Sequence, residues 1–301
     1  MWTVDGPQDI TADGKFWYVT DDYTSRILLF PIGAGIAKSI GHIGNGDGEF
    51  LHPAGAEIFD GKLVVLDNLN NRVQVLSLDG ILFSSFPLPP SLAQPLKYCL
   101  SRQGHLFIND PTSGFLVTEY DLHGHRLKSF GKLKREVGHT SLRDLNDAEV
   151  GTNSAWLSVD DDENIYAAFL ARPTVHRYSA DGKLQYQIEL AGEGADDLAA
   201  ASLGRVTAAQ FTHMHVRSAA VTLVTLDIAV DQARSTGYVL GGNNRVYRFD
   251  LRSGQDRNSL KIEAPLLRNG SSPKMLKFKV ARGRGYFLPL YSSGVYTSLL
   301  P

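Results

Sequence analysis

Cysteine is almost absent from this chain. Cys99 stands alone among 301 residues, so no disulfide can form within it. An excess of one charge is absent too. The 30 Lys and Arg nearly balance the 32 Asp and Glu, and a net charge of -2 argues against a chain-wide nucleic-acid footprint. No stretch approaches 18 consecutive apolar residues, so no membrane-spanning helix is expected. The G-x-S-x-G elbow of serine hydrolases is missing. Met1-Trp2-Thr3-Val4-Asp5 shows no basic segment followed by an apolar run, the mark of a signal peptide. An extracytoplasmic home would require a leader removed before Met1, and the compartment stays open.

What is present is ordinary globular material, 43% hydrophobic, arranged as a repeat. The clearest unit runs from His52 to Phe86. Leu63-Val64-Val65-Leu66 reads as a strand, and Asp67-Asn68-Leu69-Asn70-Asn71 as a turn whose side chains bond their own backbone. Arg72-Val73-Gln74-Val75-Leu76 alternates with the period of a half-buried strand, and Asp79-Gly80 marks a hairpin before a further strand from Ile81 to Phe86. The same grammar recurs along the chain. The apolar residues that open each third strand align as Ile27, Val73, Val117, Val175, Val246 and Val295. Successive intervals are roughly 40 to 50 residues, except the two that span inserts at 132–153 and 191–223. The second insert carries an alanine-rich stretch, Asp196 to Ala201, that favours a short helix. Six such units, each of four short strands, predict an all-β, six-bladed β-propeller occupying 1–301 as one domain. Met1 to Val4 is expected to pair beside Val295 to Leu299 as the outer strand of the last blade, closing the ring.

Ile43-Gly44-Asn45-Gly46-Asp47-Gly48-Glu49-Phe50, His52-Pro53, Val65-Leu66-Asp67 and Asn70-Asn71-Arg72-Val73-Gln74-Val75 together resemble an NHL repeat. They are also similar to bacterial six-bladed propellers with a glycine-rich GEF segment before each blade. As motif the resemblance covers about one blade; as architecture it covers nearly the whole chain. It implies a binding scaffold in many relatives. In others, such as lactone hydrolases and the peptide-amidating lyase, it implies calcium or zinc at the central channel, and in some animal relatives RNA on a basic face.

Candidate sites follow from register. Pro7, Pro53, Pro95 and Pro273 each stand just before an inner-strand run, and matching the second residue after them across all six units gives Asp9, Gly55, Lys97, Leu157, Asp227 and Met275 as the positions that begin the innermost strands. Asp9, Lys97 and Asp227 are the expected ligand-binding residues, because two carboxylates and an ammonium at a channel mouth suit an ion or a polar ligand. A hydrated lining of ordinary ion pairs is the competing reading.

Asp9 and Asp227, with His213 and His215 from the longest insert, are the candidate ligands for a divalent cation such as calcium or zinc. His213-Met214-His215 would put both imidazoles on one side of an extended segment, yet nothing local supplies a third ligand. His123-Gly124-His125 aligns with outer-rim turns, and Asp160 to Asn164 fails the calcium-loop spacing and reads as an acidic turn. Gly44-x-Gly46-x-Gly48 leads into a strand rather than a helix, which disfavours a phosphate loop. Arg268, Lys274, Lys277, Lys279, Arg282 and Arg284 form a basic run read mainly as a solvated stripe.

Three functions stay open. A non-catalytic ligand- or protein-binding propeller leads, because no catalytic set is visible. A metal-dependent hydrolase or lyase using the channel comes second, and an RNA-binding NHL module third. The expected partner is a small molecule or a protein, with nucleic acid disfavoured and a soluble monomer anticipated.

Overall fold

The computed structural model describes residues 4, 6–33, 35, 37–90, 97–134, 150–202, 223–262, 275–281, 284–289 and 296–300. They form six antiparallel sheets in chain order. The first holds β1 (Pro7–Ala12), β2 (Phe16–Asp21), β3 (Arg26–Pro31) and β4 (Lys38–Ile40). The second holds β5 (Gly55–Phe59), β6 (Lys62–Asp67), β7 (Arg72–Ser77) and β8 (Leu82–Pro87). The third comprises β9 (Lys97–Leu100), β10 (Leu106–Asn109), β11 (Val117–Tyr120) and β12 (Arg126–Phe130). In the fourth lie β13 (Ala155–Val159), β14 (Ile165–Phe169), β15 (Thr174–Tyr178) and β16 (Leu184–Glu189). The fifth contains β17 (Thr225–Asp231), β18 (Thr236–Gly241), β19 (Arg245–Asp250) and β20 (Asp256–Lys261). The sixth has three described strands, β21 (Met275–Ala281), β22 (Arg284–Pro289) and β23 (Tyr296–Leu299).

Each sheet is a simple up-and-down run, because connections as short as these, two to seven residues, can join only antiparallel neighbours. Asp79-Gly80 and Asp181-Gly182 occupy the turns between third and fourth strands, with φ of 91° at Gly80 and 82° at Gly182. The amide of Gly80 donates to the carbonyl of Ser77 at 2.9 Å, and that of Gly182 to Ser179 at 2.8 Å. A β-carbon is disfavoured at such φ, so glycine there is a requirement of the turn.

The innermost strand of every sheet packs on the innermost strand of the next, and β21 packs on β1. The sheets therefore close into a propeller. The core is divided accordingly. One cluster joins Tyr18, Ile27 and Leu29 of the first sheet to Ala56, Leu63 and Val65 of the second. Equivalent clusters fill the gaps between the second and third, third and fourth, fourth and fifth, and fifth and sixth sheets. Between sixth and first, Trp17 and Tyr286 bring their rings to 4.6 Å. Flat faces that are apolar on both sides must be covered on both sides, and stacking the sheets radially does this.

The alanine-rich stretch of the second insert forms the helix Ala195–Ser202, with Asp196 and Asp197 in its first turn, where carboxylates favour the helix dipole. Val4 is buried against Ile10, Val19 and Leu28. The expected closing strand otherwise lies outside the described residues, as does Val295. Among the described residues no helix is long and apolar enough to cross a membrane.

Candidate functional site

The inner strands surround a central cavity of about 710 Å³. All six contribute to its wall, among them Asp9 from β1, Glu57 from β5, Lys97 and Tyr98 from β9, Trp156 from β13, Asp227 from β17, and Lys277 and Lys279 from β21. The cavity continues past the strand ends to Arg102, Asp161 and Arg234. The three expected ligand residues, Asp9, Lys97 and Asp227, therefore face one shared space.

Two of them arrive there by the same device. β1 is irregular between Pro7 and Asp9, and β17 between Thr225 and Asp227. A bulge inserts a residue and re-aims the next side chain. Each aspartate then turns its carboxylate back on the following amide, Ile10 N–H to Asp9 Oδ1 at 2.8 Å and Ile228 N–H to Asp227 Oδ1 at 3.0 Å. β21 carries the same irregularity between Met275 and Lys277. The structural counterpart of Asp9 and Asp227 is thus Lys277. Met275, expected there from the proline spacing, is instead buried in the core between the fifth and sixth sheets.

A second correction concerns the fourth sheet. Leu157 is largely taken into the core between the third and fourth sheets, and it is Trp156 whose ring meets the cavity lysines. A slip of one residue exchanges the faces of a strand. Trp156 is fixed by its indole N–H, which donates to the Thr225 carbonyl at 3.0 Å.

Glu57 and Lys279 were not singled out as channel residues, although each stands two residues beyond an inward position and the period-two rule would have found them. Lys277 and Lys279 are not part of a solvated stripe. Both turn inward, and Lys277 is only 6% exposed. Of the remaining basic run, Arg268, Lys274 and Arg282 lie outside the described residues.

The charges of the cavity are largely matched. Lys279 Nζ pairs with Glu57 Oε1 and lies 3.9 Å from Asp9 Oδ1. Asp9 Oδ2 also accepts from the Tyr98 hydroxyl at 3.0 Å. That contact crosses β5 at Gly55, where a β-carbon would stand 2.6 Å from the Tyr98 ring and 2.7 Å from the Asp9 carboxylate. Gly55 thus holds a channel position by leaving it empty. Lys277 Nζ lies 3.8 Å from Asp227 Oδ1, while Asp227 Oδ2 accepts from the Phe278 amide at 3.0 Å.

Lys97 differs. Among the described residues it makes no ion pair and no hydrogen bond, and its ammonium lies 4.2 Å from the centre of the Trp156 ring. Lys277 sits 3.4 Å from that same centre.

Burial decides how these groups titrate. It pushes Lys97 down to about 7, with repulsion from Lys277 acting in the same direction. Burial also lowers Lys277 and raises the Asp227 carboxyl, in each case against the attraction of the other. Burial opposes the Lys279 ammonium too, but the Glu57 and Asp9 carboxylates outweigh it and the net shift is upward. Cys99, two residues along β9 from Lys97, is buried and its thiol is pushed up, as expected of an inert packed cysteine.

Asp9 and Asp227 face the cavity with lysines at their oxygens, whereas His213 and His215 lie outside the described residues. Among the described residues no group of three or more His, Cys, Asp or Glu side chains is placed to hold a metal ion. His123 and His125 lie in the exposed turn between β11 and β12, where His125 Nδ1 meets Asp121 at 2.8 Å. Asp160 is buried rather than solvated. Its carboxylate accepts from the amides of Asp162 and Asn164 and from the Tyr166 hydroxyl, which makes it the organiser of its turn.

No family model matches the chain, and no curated protein matches it. Solved structures of similar shape do exist. A streptogramin B lyase superposes with a TM-score of 0.62 at 12% identity, over 100% of this chain and 87% of the other. A catalytically inactive virginiamycin B lyase from Staphylococcus aureus with quinupristin gives 0.59 at 12% identity, over 99% and 85%. A selenomethionine-substituted virginiamycin B lyase from the same organism gives 0.57 at 12%, over 98% and 84%. The likeness is one of fold.

Proposed function

We propose that this chain is a single six-bladed, NHL-like propeller, acting as a monomer, whose central cavity binds a small polar molecule through Asp9, Lys97 and Asp227 together with Glu57, Lys277 and Lys279. One observation carries the reading. Six charged side chains from five inner strands, remote in sequence, converge on one cavity, Lys277 buried and the other five half-buried. Buried charges cost stability even when paired, and an apolar plug of the same volume would be as stable or more so. A chain that keeps them gains something other than stability, and a shaped polar cavity of this size is the common form of a ligand site.

The test is a thermal-shift screen of small polar metabolites, with hits repeated on Asp227→Asn. Hits that raise the melting temperature of the parent and lose at least tenfold in affinity in the variant support the reading. A screen without hits, or hits that bind the variant equally well, would overturn it.

A catalytic reading of the same cavity is favoured by Lys97. An amine that titrates near 7 inside an enclosed site is suited to taking a proton from a bound substrate. The lyases among proteins of similar shape add fold-level analogy only. Calcium or zinc at Asp9 and Asp227 would have to displace the ammoniums of Lys279 and Lys277. RNA binding loses its main support, because Lys277 and Lys279 are spent inside the channel.

A further inference from the structure

The charges in the cavity balance in number but not in place. Glu57 and Asp9 both serve Lys279, and Asp227 serves Lys277. No acid is left for Lys97, whose only described partner is the Trp156 ring. A cation–π contact contributes about 0.5–2 kcal/mol and does not replace an anionic partner for a half-buried ammonium. Lys277 on the same indole adds a second positive charge. The Trp156 N–H is already committed to Thr225, so the indole offers no further donor there.

We propose that the Lys97 corner is a subsite for the carboxylate of a small organic monoanion, seated on the Lys97 ammonium with Lys277 beside it and the Trp156 ring against it. This rests on the reading of the cavity as a ligand site. The class follows from the placement: one ammonium has no acid at its nitrogen, so a single carboxylate seated there would pair it. A cation fits poorly, since Asp9, Glu57 and Asp227 each have a lysine or a tyrosine hydroxyl near their oxygens.

The charged surroundings of Lys97 are Lys277 and Lys279 on β21, Asp227 on β17, Asp9 on β1, Glu57 on β5, and Asp22 in the turn after β2. Asp22 is held by His52 Nδ1 at 3.1 Å and attracts Lys97 only from a distance. At the entrance, Arg102 pairs with Asp161 and Arg234 with Asp231, so neither supplies the missing charge. Without an anion Lys97 loses its proton near neutral pH. An arriving carboxylate favours the protonated form, so binding above that point must take up a proton, and affinity must fall as the pH rises.

The experiment is isothermal calorimetry with sodium acetate at constant ionic strength, in pairs of buffers of different ionisation enthalpy, at pH 6 and pH 8. Trp156 fluorescence is followed in a Trp2→Phe, Trp17→Phe background. Saturable binding is expected, with about one proton taken up per acetate at pH 8 and close to none at pH 6. Lys97→Met should weaken binding at least tenfold. Lys97→Arg should retain it while abolishing proton uptake, because a guanidinium stays charged. Acetate binding that is absent, or unchanged in Lys97→Met, would overturn the proposal; Lys97→Gln serves the same purpose should the methionine variant not fold. The two readings fail separately. Screen hits that need Asp227 but bind Lys97→Met as well as the parent would remove the carboxylate subsite and leave the cavity as a ligand site.

Discussion

Two buried polar clusters in this molecule are built on opposite principles. The first surrounds Asp67 in the second sheet. Asp67 is fully buried, and its oxygens accept from the Leu51 amide at 2.8 Å, the Asn70 side chain at 2.8 Å and Arg72 Nε at 2.7 Å. Arg72 goes on to the carbonyls of Gly46 and Glu49, and Gln74 joins the Glu49 carbonyl to the Gly48 amide. Its members lie within about one repeat of each other, and the network staples the glycine-rich segment onto the blade. The second cluster is the central cavity. Its members come from six strands, and one of them, Lys97, has no acid of its own. A closed network of this kind holds a fold together; an open one, on the function proposed above, leaves a place for a ligand.

The sharpest way to break the contrast is Asp67→Ala. It strands Arg72, Asn70 and the Leu51 amide in a buried site, and a loss of about 3–5 kcal/mol is expected in urea unfolding. A loss below about 1 kcal/mol would show that the motif is not the staple described here.

Gly55→Ala tests the cavity side. The new methyl would collide with Tyr98 and crowd Asp9, so the Tyr98–Asp9 hydrogen bond must open. Destabilisation of about 1–3 kcal/mol is expected, together with weaker binding of whatever the cavity holds.

The smallest effect, and the one of opposite sign, belongs to Lys97→Met. Its folded pKa of about 7 lies below the ordinary 10.5, so between those values the unfolded chain binds more protons than the folded one. The contribution of this position to stability is therefore lowest below about pH 7 and rises as the pH climbs toward 10. Removing the amine should raise Tm at pH 6, by about 2–4 °C for each kcal/mol relieved, and the gain should fade toward pH 10. A Tm difference independent of pH would mean that Lys97 is not forced to titrate by its surroundings.

The same contrast explains how much the sequence disclosed. The turn at Asp67 and the motif around it were legible because their spacing is local. The strand grammar and the glycine turns were legible for the same reason. The buried network that Arg72 and Gln74 close with Asp67 was not, since alternation reads Gln74 as a polar outer position and it is fully buried. Asp9, Lys97 and Asp227 could be placed because a proline or a repeat boundary stands just ahead of each. Lys277 could not, since Pro273 stands two residues ahead of the bulge at Met275 whereas Pro7 stands at the bulge itself, and no local residue type announces that offset. Trp156 was missed through a slip of one residue, which alternation alone cannot correct in a strand apolar on both faces. The ion pairs of Lys279 with Glu57 and Asp9 join the two ends of the chain, and no spacing rule reaches across such a distance.

That last pairing has a kinetic meaning. Most contacts in the molecule are hairpins, which form in microseconds from neighbouring residues. Among the packings of one sheet on another, that of β21 on β1 spans the greatest separation in sequence, since it joins the first sheet to the sixth, and it is expected to form late. Lys279 meets Asp9 and Glu57 only across that seam. During refolding the cavity is thus expected among the last features to exist, and the return of ligand binding would time the moment at which the ring shuts.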